Sequence, residues 1–325
     1  HTPFMVACRK GHTDVVKLLL ERSDPRIDLS ARAVSGRTAS MVARKRGLQG
    51  IVQLLLDHSE RTDLNATDDR EFTAILLACH NGHKDVVKLL LDQSGLNLNI
   101  ELNLNNEFVH TQGRGALATA CQNGHKDVVQ LLLDHSERVD PNERIHGITA
   151  LMRACFYGRK DIVQVFLDNS KKIDLNARDS NGRTALMLAC RTRYAQRNAR
   201  NKDVVQLLLN HSDPRIDLNV KDNNGRTALM IARQSRQKTI VKLLLDSSKR
   251  IELNARDNHG MTALMFACSA RNSDVVELLL NHSDPRIDLN VKDNNGRTAL
   301  MWACFYGRKD VIQVFLDNSK RIDLN

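Results

Sequence analysis

The sequence lacks the patterns that would mark an enzyme or a membrane protein. No stretch of the 325 residues approaches the roughly 18 consecutive apolar residues of a membrane-spanning helix, and no signal-peptide pattern is present. The phosphate-binding pattern GxxxxGK, the zinc-protease pattern HExxH, the nucleophile pattern GxSxG and paired cysteines at zinc spacing are also missing. We therefore expect no catalytic residues, no metal, no cofactor and no membrane span.

Internal repetition dominates what the sequence does contain. Residues 210–230 return without change at 281–301, and residues 154–176 return at 303–325 with three changes. The residue before the first Ala of motifs such as TALM recurs about every 35 residues or slightly more. The nine equivalent positions are Thr2, Thr38, Thr73, Gly115, Thr149, Thr184, Thr227, Thr262 and Thr298. Nine repeats therefore cover the chain.

Each repeat shows the same order of local signals. A glycine-containing turn such as DSNGR comes first, since glycine supplies the positive φ of tight turns. The Thr that follows is suited to cap a short helix, TALMLAC, which is apolar on nearly every side. A tight connection leads to a second helix with a buried stripe such as VVKLLL. Because one repeat cannot cover its own apolar face, neighbours must stack, and the sequence predicts an all-α repeat solenoid.

The motifs GRTALMLAC, GHKDVV, and LLLDHS followed by IDLNARD resemble the ankyrin repeat. The resemblance covers all nine repeats and implies helix-turn-helix units, joined by short β-hairpin-like turns, in a curved rod. The family's TPLH signature is kept only in part, at Pro3. Each repeat is also slightly longer than the family's usual length of about 33 residues, with the extra length in segments such as SDPRID.

The unbroken period predicts a single domain over residues 1–325, as part of a longer array. Two insertions interrupt the period. Residues 96–110, before the fourth repeat, alternate apolar and polar side chains and fit either a strand-like edge for a partner or a lengthened hairpin. Residues 191–201, in the sixth repeat, fit either a phosphate-binding arginine cluster or a solvated helical extension.

The seven cysteines all follow the Ala of an AC dipeptide, and so share one position of the repeat. Equivalent positions in stacked repeats lie about one helix spacing apart, beyond the roughly 7 Å limit for a disulfide. We therefore expect small buried side chains with free thiols. Free buried thiols favour a reducing compartment, so we predict an intracellular, cytoplasmic protein.

The resemblance also indicates where a partner would bind. Ankyrin-like arrays bind through turn tips and through the outward ends of the first helices, which line a concave face. We call the nine equivalent positions from Thr2 to Thr298 the marker. The position before the marker gives Phe72, Ile148, Arg183, Arg226 and Arg297. The two positions after AC give Phe156, Tyr157, Phe305 and Tyr306, together with Arg9-Lys10, Lys45-Arg46, His80-Asn81 and Gln122-Asn123. The sixth-repeat insertion adds Arg191, Arg193, Tyr194 and Arg197.

Two functions remain open at this point. We predict a non-enzymatic scaffold that binds a protein partner through the concave face, with the Phe-Tyr pairs either as anchors or as packing residues. The alternative is a nucleic-acid or acidic-polymer binding module that uses the turn arginines and the 191–200 insertion. A net charge of +10 favours acidic proteins, nucleic acid or anionic surfaces without selecting among them.

Overall fold

A computed structural model describes most of the chain. The described residues are 2–22, 27–58, 66–69, 72–92, 115–191, 195–211, 215–234, 238–247, 250–269, 273–280 and 287–317; side chains are not described at 195–200 and 233–234. These residues form eighteen α-helices and no β-sheet. The predicted all-α repeat fold is therefore confirmed. The 96–110 insertion lies outside the described residues, and the single domain within a longer array stays a prediction.

The helices fall into two compact units, residues 1–150 and 151–325. The first unit contains four first helices, α1 Pro3–Lys10, α3 Ala39–Lys45, α5 Ala74–Asn81 and α7 Ala116–Asn123, and four second helices, α2 Thr13–Glu21, α4 Gln49–Asp57, α6 Lys84–Leu91 and α8 Lys126–Asp134. Each first helix packs on the next first helix, and each second helix on the next second helix. The unit therefore has a first-helix layer and a second-helix layer.

The second unit repeats this order. Its first helices are α9 Ala150–Phe156, which begins at the unit boundary, α11 Ala185–Cys190, α13 Ala228–Gln234, α15 Ala263–Ser269 and α17 Ala299–Phe305. Its second helices are α10 Lys160–Asp168, α12 Ala195–Asn210, α14 Lys238–Asp246, α16 Ser273–Leu280 and α18 Lys309–Asp317, with a short 3-10 helix at Ser170–Lys172. The sixth-repeat insertion lengthens α12, which has 16 residues against 9 in α10.

The marker threonine starts the first helix as predicted. In the second repeat, the Thr38 hydroxyl accepts the backbone N–H of Met41 at 3.3 Å, and Thr184 accepts that of Met187 at 3.4 Å. This bond satisfies one of the amides that a helix start leaves without an intrahelical partner. Residue 115 is a glycine, and α7 accordingly begins without a side-chain cap. The Thr at this position therefore serves the fold, by capping the first helix, rather than the binding of a partner.

The turns stack because glycine leaves room for the next repeat. Gly182 has φ +76°, and a Cβ placed there would lie 2.3 Å from the Asn223 side-chain oxygen and 2.7 Å from its backbone nitrogen. Asn223 uses that space to donate its backbone N–H to Asn181 and its side-chain amide to Ser180. A side chain at residue 182 would therefore break both the turn and the contact between repeats.

The IDLN segment, which precedes the turn of the next repeat, ties neighbouring repeats together in the second unit. Asn176 donates to the carbonyl of Arg215 and accepts the N–H of Asp217. Asn219 likewise donates to Arg250 and accepts from Glu252. The apolar residues of the same segment are buried: Ile173, Leu175, Ile216, Leu218, Ile251, Leu253, Ile287 and Leu289. The IDLN segments therefore add both core and polar contacts.

The second repeat contains an irregular core position. Arg44 in α3 stands where most repeats have the cysteine, and its side chain is fully buried. None of its three guanidinium nitrogens meets a hydrogen-bond acceptor among the described residues, and burial lowers the pKa of Arg44 to about 10. Ser40, one helical turn earlier, stands where the third repeat has Ile75. Compared with Ile75 and Cys79 of the third repeat, Ser40 is smaller and Arg44 is larger, so the total side-chain volume on this helix face is similar.

Candidate partner-binding surface

The predicted turn arginines of the sixth and seventh repeats are bound within their own turns. Arg183 forms an ion pair with Asp179, with 2.7 Å between Nη2 and Oδ2, and Arg226 forms one with Asp222 at 2.8 Å. Both carboxylates are almost completely buried and also accept backbone N–H groups of the turn. An aspartate five residues before the marker is therefore the counter-charge of these two arginines, and both act first as turn residues.

The ninth repeat arranges the same turn differently. The indole N–H of Trp302 donates to Asp293 Oδ2 at 3.0 Å, and the Arg297 guanidinium lies over the Trp302 ring, 4.9 Å from its centroid. Burial disfavours the Asp293 carboxylate, but the backbone N–H groups of Arg297 and Asn295 and the indole N–H outweigh it and hold the pKa of Asp293 below its ordinary value. Sequence reasoning missed Trp302, although it is the only tryptophan.

Two predicted apolar site residues pack within the fold. Phe72 is half-buried and contacts the cluster of Met41, Ala66, Ala74 and Leu77, with its ring edge-to-face with His80 at 6.0 Å between centroids. Ile148 forms an isolated antiparallel bridge with Ile145 in the turn of the fifth repeat. Their partner-binding role stays a prediction, while their packing role is observed.

The two Phe-Tyr pairs differ in exposure. The rings of Phe156 and Tyr157 meet edge-to-face at 5.2 Å, and both side chains are half-buried. Phe305 and Tyr306 meet in the same way at 5.1 Å, but Phe305 is 70% exposed and Tyr306 is 42% exposed. Trp302 stacks on Tyr306 with 5.8 Å between centroids. The ninth repeat therefore presents a preformed aromatic cluster.

The sixth-repeat insertion is described only in part. Arg191 is half-buried directly after α11, at its C-cap position. Arg193 and Tyr194 lie outside the described residues, and Arg197 is described only as a helical backbone position in α12. The phosphate-binding interpretation of this insertion therefore stays a prediction.

Two first helices of the first unit, α1 and α3, end in cations that form no pair among the described residues. Arg9 and Lys10 end α1, and Lys45 and Arg46 occupy the equivalent positions at the end of α3. All four side chains are exposed, and none forms an ion pair or side-chain hydrogen bond within the part of the chain that the structure describes. The carbonyl of Lys45 lies 2.8 Å from Nε2 of His83 in the third repeat, so this contact ties the end of α3 to the next repeat.

Other kinds of site find little support in the described ranges. They hold no cluster of His, Cys, Asp or Glu suited to a metal ion, and none of their helices has the length and apolar character to cross a bilayer. A surface cleft of about 450 Å³ is lined by Asn219 and residues 250–255. Its polar residues already serve the contacts between repeats, since Arg250 donates to Leu209 and Ile216.

Comparison with known families identifies the class of protein. The family model described as Ankyrin repeats (3 copies) matches residues 1–68, 50–145, 96–179, 137–196, 171–257 and 249–325, which together span the chain. The protein therefore belongs to the ankyrin-repeat family. None of the curated proteins matches the chain in sequence.

Solved structures share the fold. The crystal structure of the ankyrin repeat domain of Bcl-3, described as a unique member of the IkappaB protein family, matches with a TM-score of 0.61 and 26% sequence identity. The match covers 75% of this chain and 98% of that domain. Because 517 chains of solved structures match in all, the fold alone does not select a partner.

Proposed function

We propose that this protein is a non-enzymatic scaffold that binds a protein partner through the ends of its first helices, on the concave face expected of ankyrin repeats. Ankyrin repeats are generally protein-protein interaction modules, and their fold is typically non-enzymatic. One observation carries the choice of surface: the two positions after AC are at least partly exposed in the described repeats and change chemistry from repeat to repeat. The changes run from Arg9-Lys10 to His80-Asn81 to Phe305-Tyr306.

The remaining parts of the repeat are occupied by the fold itself. Marker threonines cap helices, and turn aspartates such as Asp179 accept backbone N–H groups. Second helices bury their apolar stripe, as Val86 and Leu90 do in α6. Variation in exposed side chains on a constant frame is what a recognition surface requires, because the frame fixes each position while the side chain supplies specificity.

Selection of binding peptides followed by footprinting tests this proposal. Peptides are selected from a random displayed library on the immobilised protein, and their contacts are mapped by amide hydrogen exchange. We expect protection in the last turns of first helices, such as residues 8–10, 44–46 and 304–306. The proposal fails if no peptide is selected, or if protection is confined to the second helices.

Aromatic substitutions refine the test. Replacing both Phe305 and Tyr306 with Ala should weaken a peptide that contacts the ninth repeat by about tenfold or more, because aromatic anchors dominate interface energetics. The matched control is Leu316→Ala, since Leu316 is also exposed and apolar but lies on the second helix α18. An equal effect of the two changes would indicate general apolar adhesion instead of binding at the first-helix end.

The same proposal includes an intracellular, cytoplasmic location. All seven cysteines are free, and six of them are buried. Proteins of oxidising compartments commonly use cysteine pairs as crosslinks, which this arrangement does not offer. Imaging of a tagged chain tests the location, and a secreted, disulfide-linked product would contradict it.

A further inference from the structure

We propose that the first two repeats bind an acidic, extended polypeptide segment across Arg9, Lys10, Lys45 and Arg46. This inference rests on the proposed function and adds the chemistry of the partner and its place on the array. The four cations are exposed and lie at equivalent positions of two first helices that pack on each other. Directly packed helices lie about 8 to 10 Å apart, so the two pairs form one basic patch.

The layer that carries this patch has no acidic residue. The four first helices of the first unit read PFMVACRK, ASMVARK, AILLACHN and ALATACQN, and none contains Asp or Glu. The second helices of the same unit do carry carboxylates, including Asp14, Asp85 and Asp127 in their first turns. The first helices of this unit therefore supply no counter-charge of their own, and none of the four cations forms an ion pair among the described residues.

The helix ends themselves do not require these cations. A positive side chain favours a helix C-terminus through the helix dipole, which would explain a single Lys or Arg at each end. However, α5 ends in His80-Asn81 and α7 in Gln122-Asn123, and both helices form with the same length as α1. The two cations at the end of α1 and the two at the end of α3 are therefore more than helix termination requires.

The four cations of the patch repel one another. Charges separated by about one Debye length, roughly 8 Å at physiological salt, still interact. The four exposed charges on two adjacent helix ends thus raise the local potential, and an anionic partner relieves it.

The geometry favours an acidic polypeptide over a nucleic acid. An extended chain rises about 3.3 Å per residue, so side chains three residues apart match the spacing of about 10 Å between successive repeats. Arg and Lys pair readily with carboxylates. Nucleic-acid platforms interleave cations with exposed aromatic rings, whereas the aromatic residue of α1, Phe4, is buried and α3 has none.

Fluorescence anisotropy at physiological salt tests the proposal. The probes are a fluorescein-labelled peptide of repeated Glu-Gly-Ser triplets, its Gln-Gly-Ser counterpart, and a labelled oligo-thymidylate of similar length. The patch variant replaces Arg9, Lys10, Lys45 and Arg46 with Gln. The matched control replaces Arg22, Lys84, Lys88 and Lys126 with Gln, since these are exposed and unpaired among the described residues but belong to the second-helix layer. Each variant takes the net charge from +10 to +6, because four positive charges are removed.

The expected result is binding of the Glu peptide, little binding of the Gln peptide, and at least about a tenfold loss in the patch variant against less than about threefold in the control. Circular dichroism establishes that both variants remain folded. Equal losses in the two variants, or no binding of the Glu peptide, would overturn the proposal. Tighter binding of oligo-thymidylate that depends on the same four residues would also overturn it, in favour of nucleic acid.

Failure of this inference can be told apart from failure of the proposed function. If library-selected peptides still bind at first-helix ends while the patch variant binds them as well as the parent does, the partner is not acidic and the scaffold role stands. If no displayed peptide is selected at all, the scaffold role fails as well. Enrichment of Glu and Asp among the selected peptides, lost with the patch variant, supports both.

Discussion

Repeats five and nine share nearly the same helices but do not have the same surface. Residues 154–176 and 303–325 differ at three positions, yet Cys155 is buried and Cys304 is exposed, and Phe156 is half-buried while Phe305 is 70% exposed. The exposure of a side chain in this fold is thus decided by the neighbouring repeat more than by its own sequence. In the part of the chain that the structure describes, α17 packs on α15.

The turns that precede the first helices of repeats five and nine also differ, and a helix residue differs with them. Five residues before the marker, repeat nine has Asp293 where repeat five has Arg144, and in the helix Trp302 replaces Arg153. Trp302 donates to Asp293, so these two substitutions work as a pair. Near-identical helices can therefore carry different functional groups when one turn residue changes.

The largest expected effect comes from removing the buried phenylalanine of the two repeats. Phe166 and Phe315 are both fully buried. Phe166→Ala should lower the free energy of unfolding by about 3 to 5 kcal/mol and loosen neighbouring repeats, because it opens a cavity within the stack. Phe315→Ala should loosen mainly repeat nine.

Two probes follow these changes in urea unfolding. Fluorescence of Trp302, the only tryptophan, reports on repeat nine, and circular dichroism reports on all helices. For Phe315→Ala we expect the fluorescence transition to precede the circular dichroism transition. Coincident transitions in that variant would show that the repeats unfold together, and would contradict the expectation that repeat nine loosens separately.

A smaller change, an increase in the free energy of unfolding, should follow when the second repeat is given the core residues of the third. The double change Ser40→Ile with Arg44→Cys installs the side chains that the third repeat has at Ile75 and Cys79. We expect it to raise the free energy of unfolding by about 3 kcal/mol, because an uncompensated buried charge is removed and the volume is kept. Thermal and urea unfolding of the double and single variants measure this, and a double variant no more stable than the parent would show that Arg44 is satisfied in solution.

Thiol labelling tests the exposure difference directly. Cys304 should react with a thiol reagent at least about a hundredfold faster than the six buried cysteines, whose labelling waits for local opening of the stack. Burial also raises the pKa of Cys8 to about 12, which keeps its thiol protonated and unreactive at neutral pH. Mass spectrometry of partly labelled protein measures the rates, and Cys304→Ser should remove the fast phase alone. Fast labelling of Cys155 would contradict the burial of repeat five.

The smallest expected effect concerns pH. The pKa of Asp293 is lowered in the folded protein, so its contribution to stability is present above the unfolded-state pKa of about 4 and is lost as pH falls through the lower folded value. Repeat nine should therefore loosen in acid, as seen by Trp302 fluorescence. Asp293→Asn should flatten that dependence relative to the parent, and an unchanged acid transition in this variant would assign the loosening to other carboxylates.

The sequence was a good guide wherever a repeat interacts with itself. Thr38 and Thr184 cap the predicted helices, and six of the seven cysteines are buried as expected. The expectation of burial was wrong for Cys304, which is exposed. Periodicity gives the position of a residue within its repeat but not how far a neighbouring repeat covers it.

The candidate site was harder to predict, for a related reason. Arg183 and Arg226 occupy an address that faces partners in the family, but an aspartate four residues earlier holds each of them in its own turn. The spacing of Asp179 and Arg183 was visible in the sequence and could have indicated this pairing. By contrast, Arg9 and Lys45 form no ion pair among the described residues although α2 carries Asp14, and only the structure shows this.

The asparagine contacts of the IDLN segments have a consequence for how such a chain grows. Asn176 and Asn219 each join one repeat to the next through the same donor and acceptor pair directed at the backbone. At both contacts the asparagine side chain bonds only to backbone N–H and C=O groups of the next repeat. Such backbone groups do not depend on which side chain the next repeat carries. A gene segment encoding whole repeats can be copied into such an array without new contacts having to evolve between repeats, and the chain contains verbatim copies such as residues 210–230 and 281–301.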